Sequence, residues 1–149
     1  MNPYLDRQTC PPLLGLSVRQ PMAWAIIHGG KDIENRSQDG TFRRHRGPVA
    51  IHASGHTPPD EFELYEAVIQ RITARPVPRE TLAYGAIIGI ADLVDIVTES
   101  DSPWFFGPYG LVLQNPRPLV IPIKCRGQLG LWPVPLDVRA QIRAQGVLW

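Results

Sequence analysis

Cysteine is scarce: Cys10 and Cys125 are the whole complement of a 149-residue chain, and no second Cys or His stands beside either at metal-ligand spacing. A disulfide framework and a zinc site are therefore not expected, and two unpaired thiols in a reducing compartment are. Charge of one sign is lacking as well. Fifteen Lys and Arg against fourteen Asp and Glu leave a formal net charge of +1, so no global field draws the chain to nucleic acid or to an anionic membrane, and any nucleic-acid site must be local. Long apolar runs are also missing. The best, from Ala86 to Val97, is broken by Gly89, Asp92 and Asp95, and the N-terminus has no basic segment followed by an apolar one. A cytoplasmic protein without a membrane partner is the expectation.

What is present is the composition of an ordinary globular chain, 44% hydrophobic and 19% charged, enough for one core. Three prolines within residues 1–13 make that stretch an N-terminal arm. "LSV" at 16–18 is short enough for an edge or barrel strand. Pro21 suits the first turn of a helix whose Ala23, Ile26 and Ile27 recur at helical spacing until Gly29 and Gly30 stop it, which predicts a helix over 21–28. "KDIENR" is extended, "SQDGTFRRHR" is a polar loop and "GPVAIHAS" is a buried strand. A second helix is predicted over about 59–74, opened by Asp60, Glu61 and Glu63 at the positive end of its dipole and ended by Pro76. Phe62, Tyr65, Ile69 and Ile72 share its inward face.

Four strands are then expected, "YGAIIGIADLVDIV", "YGLVLQN", "LVIPIKC" and "QLGLWPV", separated by turn residues. No long helices intervene, so antiparallel pairing is the natural choice. The pattern is α+β: a small, mostly antiparallel barrel with helices flanking its mouth. "LDVRAQIRAQG" closes the chain as a helical extension over 136–149.

The residues "GGKDIENR" at 29–36 set three charges among apolar neighbours. Side chains alternate along a strand, so Glu34 and Arg36 share a side while Lys31 joins them only if the chain turns between 31 and 34. The double glycine permits such a turn. Glu34 then holds the Arg36 guanidinium for a phosphate or a base edge, and Lys31 adds a second positive charge. The bland alternative is a structural ion pair with Lys31 in solvent. Arg19 and Gln20 precede Pro21 at a helix N-terminus, where they serve an anion or merely cap. Trp24 and His28 lie one turn apart, as a stacking platform or, for Trp24, as core with one edge free.

In "PWFFGPYG", Phe105 and Phe106 are expected to be buried lids over a barrel end beside Trp104, and Tyr109 is the pocket member because its hydroxyl needs a partner. Asp92 is either hydrogen-bonded at a strand end or a cleft acid. His52 and His56 are four apart, but Gly55 intervenes and Pro58 follows, so they are not a helical metal pair, and no metal or cofactor is expected. "RRHR" at 43–46 is expected to be a solvated loop, with phosphate tracking as its alternative.

Taken with "LSVRQPMAW", "RGPVAIHAS", "GAIIGIADLVD", "SPWFFGPYGLVL" and "CRGQLGLWPV", the pattern G-x-K-x-x-E-x-R carried by Gly29, Lys31, Glu34 and Arg36 closely resembles the ASCH domain of the PUA-like superfamily. The resemblance extends over residues 14–135. It implies a PUA-like pseudo-β-barrel with a charged cleft beside the motif, a part in RNA metabolism, and RNA or a nucleoside or nucleotide as partner. Arg19, Gln20, Trp24, Lys31, Glu34, Arg36 and Tyr109 are the candidate contacts. One branch of ASCH-like proteins hydrolyses acetylcytidine with a lysine at the Lys31 position and a threonine where this sequence has Glu34. Ribonuclease activity, also attributed to such proteins, would ask Lys31 to stabilise the phosphorane and Glu34 or Tyr109 to move a proton.

Overall fold

Residues Val49 to Ala53 are buried without a break, as in a strand covered on both faces. This strand, Gly47–Ala53, is the third of six that the computed structural model places in one sheet. Residues 10–149 are described, so the arm expected over 1–13 lies outside them as far as residue 9.

In chain order the elements are β1 Leu14–Val18, α1 Met22–His28, β2 Ile33–Arg36, β3 Gly47–Ala53, α2 Pro59–Thr73, β4 Ala86–Val97, β5 Tyr109–Lys124, β6 Leu131–Pro133 and α3 Leu136–Ala144. The sheet runs β2-β5-β4-β3-β1-β6 and is mostly antiparallel, curled into a half-barrel, as the α+β expectation requires. One face is closed by α1, through Ala23, Ile26 and Ile27 against Leu16, Val18, Val49, Ile51 and Leu111. The other is closed by α3, whose Val138 and Ile142 pack with Trp132, Ile87, Ile90 and Ile123. The helix α2 stands outside, its Phe62 and Ile69 buried with Ile33, Val77 and Trp104.

The structure refines three local expectations. β1, expected as an edge or a barrel strand, is a barrel strand between β3 and β6, and it runs parallel to β3 rather than antiparallel. A parallel pair needs a crossover of a dozen or more residues, and α1, β2 and the loop after it supply one without a long helix. "YGLVLQN" and "LVIPIKC" are one strand, β5, rather than two. Asn115 adopts a left-handed φ of 52° and bends the strand where the residue types predict a turn, while the β4–β5 register slips at three points. Gly89 sits at one slip, where an added Cβ would lie 2.7 Å from the Arg117 carbonyl oxygen. Finally, α2 ends at Thr73, before Pro76, because Ala74 turns left-handed at φ 55° and returns its N–H to the Gln70 carbonyl.

The end of α1 positions the first charge of the motif. Gly29 N–H and Lys31 N–H both reach the Ala25 carbonyl, at 2.9 and 3.0 Å, and Gly30 has φ 75°. That left-handed glycine folds the chain back on the helix end and delivers Lys31 beneath β2.

Candidate functional site

Lys31 precedes β2 rather than belonging to it, so strand alternation does not bind it. The residue is 3% exposed, and Nζ donates to the Ile33 carbonyl and, at 2.9 Å, to Glu34 Oε1. The other carboxylate oxygen, Oε2, accepts from Arg36 Nη2 at 3.0 Å. Nη2 also donates to the Ser17 carbonyl at 2.9 Å, and the guanidinium lies over the Phe42 ring, 5.4 Å from its centroid. Burial pushes the Glu34 carboxyl up, yet the charges and hydrogen bonds of Lys31 and Arg36 together outweigh it and hold the group below the ordinary carboxylate range. Glu34 is thus a fixed anion gripped by two cations.

These three side chains line a cavity of about 870 Å³. Ser17 and Arg19 reach it from the end of β1, Ser54 and His56 from the end of β3, and Leu64, Tyr65 and Val68 from α2, with Phe106 and Gln128 to Gly130 supplied by two loops. Its lining holds three cations, Arg19, Lys31 and Arg36, against one anion, Glu34. Arg19 is half exposed and paired with Glu61 of α2, which also accepts from the Tyr65 hydroxyl at 3.2 Å.

Of the residues singled out in the sequence, Lys31, Glu34, Arg36 and Arg19 meet at this cavity. Gln20, Trp24 and Tyr109 are not among its lining residues. Gln20 is a framework residue: its Oε1 accepts from Trp24 N–H at 2.9 Å and its Nε2 donates to the Ala83 carbonyl at 3.0 Å. Trp24 packs beside His28 and against the core under α2. Tyr109 faces Arg36 across the β2–β5 ladder at the strand end. Asp92 is tied to Arg117 at 3.0 Å, away from the cavity. In the basic run, Arg43 pairs with Asp39, and Arg46 turns back onto the carbonyls of its own loop.

His52 and His56 go separate ways. His56 lines the cavity, whereas His52 is buried between Ser17 Oγ at 3.2 Å and the Cys125 carbonyl at 2.7 Å. Phe106, expected as a buried lid, is 56% exposed on the cavity rim, while Trp104 beside it is buried. Most of the other lining residues escape sequence reasoning, Leu64, Leu129, Tyr65 and Asn35 among them. Tyr65 shares the apolar period of α2 and so reads as core, and Asn35 carries no signal of its own between two charged motif residues.

The ASCH domain family model matches residues 16–109, a span that contains Lys31, Glu34, Arg36, Tyr65 and Phe106. The chain belongs to the ASCH domain family. It is similar to activating signal cointegrator 1 of Homo sapiens, at 29% identity over 133 aligned positions covering 78% of this chain. The same protein of Mus musculus is 28% identical over the same extent. This chain spans about a fifth of the length of these relatives, 21% of each. Within the ASCH domain the triad and its cavity lie at the end of α1, and the segment Gln128 to Gly130 adds a wall from beyond the matched span.

Proposed function

We propose that this ASCH domain is a binding module that accepts RNA, or a nucleoside or nucleotide from it, in the cavity of Lys31, Glu34 and Arg36. What supports this most is the way Arg36 is held. Its Nη2 is fully used by Ser17 and Glu34, the ring of Phe42 fixes its plane, and among the described residues neither Nη1 nor the buried Nε has a hydrogen-bond partner. An arginine locked in one plane with two of its three nitrogens unpartnered is prepared for a phosphate oxygen or a base acceptor. Glu34 beside it offers carboxylate lone pairs to a base N–H. The excess of cations in the lining gives a local attraction that the chain's net charge of +1 does not.

Binding is preferred over hydrolysis because neither motif residue is poised to move a proton. Lys31 Nζ is engaged by the Ile33 carbonyl and Glu34. Glu34 is held ionised, which makes it a poor acid, and its low proton affinity makes it a poor base. The threonine of the acetylcytidine branch is absent, since Glu34 occupies its place. The test is incubation of the purified chain with total RNA, followed by mass spectrometry of the retained and free species. Retention of intact RNA that is lost in Arg36→Ala is expected; cleaved or deacylated products that disappear in Lys31→Ala would reverse the preference.

A further inference from the structure

Isolated apolar side chains on a surface need no explanation, but their gathering at one place does. Among the described residues eight large hydrophobic side chains are exposed, and three of them, Leu64, Phe106 and Leu129, line this one cavity. They are 62%, 56% and 98% exposed and arrive from three separate elements: α2, the loop before β5 and the segment before β6. None is needed to fill the core.

Phe106 is presented by a specific device. Asn35 points away from Glu34 and Arg36, as alternation along β2 demands. Its Oδ1 accepts from the N–H groups of Phe106 and Gly107 at 2.7 and 3.0 Å, and its Nδ2 donates to the Trp104 carbonyl at 2.9 Å. The loop is therefore pinned to the same strand that carries Glu34 and Arg36. One four-residue strand fixes both the charged wall and the aromatic rim.

From this we infer that the site grips an unpaired nucleobase, with Leu64, Phe106 and Leu129 on its flat faces, the triad on its polar edge or phosphate, and Asn35 as the positioning residue for Phe106. The inference rests on the RNA-binding function proposed for this cavity and narrows it to single-stranded nucleotides. A duplex hides base faces in its stack and presents chiefly phosphates, sugars and groove edges, so it has nothing to offer an apolar rim. A single strand has both a free π-face and a charge, and stacking on an aromatic side chain tolerates any base.

The experiment measures fluorescence anisotropy with three labelled RNAs of twelve nucleotides: oligouridine, the same backbone with abasic sites, and an adenosine–uridine duplex. Oligouridine should bind at least tenfold more tightly than either of the others. Leu129→Ser, at a position too exposed to affect folding, and Phe106→Ala should each weaken oligouridine binding severalfold and leave duplex binding and its salt slope unchanged. Asn35→Ala should weaken oligouridine binding as Phe106→Ala does, with no further loss when the two are combined. Equal affinity for single strand and duplex, with Arg36 still required, keeps the RNA reading and overturns the apolar grip. Rim variants without effect overturn it too. Failure to bind any of the three probes removes both.

Discussion

Lys31 and Glu34 form a salt bridge of 2.9 Å with almost no solvent around either side chain, and Arg36 completes the pair from the outer side. Removing one member of a buried pair strands its partner, which costs about 3 to 5 kcal/mol, more than the net worth of the pair itself. Glu34 serves two cations, so its loss should be the most damaging. Glu34→Gln should lower stability by about that amount and reduce the urea midpoint accordingly. Lys31→Met, which leaves Glu34 with Arg36, should be milder. Equal loss in the two variants would show that the carboxylate is not the hub.

Two windows of acid sensitivity are expected. Glu34 titrates below its ordinary value when folded. Its contribution is therefore complete above the unfolded value, about 4.3, and is lost as the pH falls through the depressed folded value. Burial lowers His52, and the Cys125 carbonyl raises it by less. The fold thus resists a proton that the unfolded chain accepts, and stability should decline as the pH drops below about 6.5. Thermal melts between pH 8 and 3 check both windows. His52→Gln should reduce the upper window, which His28 shares because burial lowers it too, and Glu34→Gln should reduce the lower, which Asp39, Glu61 and Glu66 share through their arginine partners.

The charged motif is legible in the sequence because strand alternation and the glycine pair are local rules. Gly29, Gly30 and Lys31 do what such residues must at a helix end, and Glu34 and Arg36 share a side because they are two apart. The parallel β1–β3 pair is not legible, since a crossover assembled from a short helix, a strand and a loop leaves no periodic signal. Asn115 misleads for a related reason. A left-handed asparagine before proline reads the same whether it turns a chain or bends a strand, and only the partner strand β4 decides. Tyr109 and Trp24 are attractive for what their side chains can do; their positions at a strand end and under α2 are invisible in sequence. Residue type alone assigns Phe106 to the core, and its exposure follows from Asn35, seventy-one residues earlier in the chain.

The C-terminal end of α2 offers a stability test independent of the cavity. Ala74 occupies the left-handed region at φ 55°, where a side chain on Cβ is disfavoured by about 1 to 2 kcal/mol. Ala74→Gly relieves that strain but loosens the unfolded chain, so a net gain of about 0.5 to 1 kcal/mol is expected in urea unfolding. A loss would mean that the methyl group makes packing contacts outweighing the strain.

The basic run should matter little for affinity. Arg43 is engaged by Asp39, and Arg46 by carbonyls of its own loop. Neutralising Arg43, Arg44 and Arg46 together should change the slope of log affinity against log salt by less than one phosphate contact, about one unit. A change of two units or more would place the loop on the RNA path.

The last prediction separates geometry from charge at Arg36. If the residue acts as a point charge, Arg36→Lys should bind RNA as the parent does. The structure argues otherwise, because the guanidinium is fixed by three partners that suit a plane: the Ser17 carbonyl, Glu34 Oε2 and the Phe42 face. A lysine ammonium has no plane to stack on Phe42 and no fork to divide between protein and ligand. Arg36→Lys should therefore lose about tenfold in affinity, at least half in free energy of the ten- to hundredfold expected for Arg36→Ala, which corresponds to about 1.5 to 3 kcal/mol for a charge-assisted contact. Isothermal titration with a short single-stranded RNA measures both variants, and melting curves confirm that each remains folded. Full retention of affinity in Arg36→Lys would reduce the site to a patch of positive charge and leave the held orientation of Arg36 without a part in recognition.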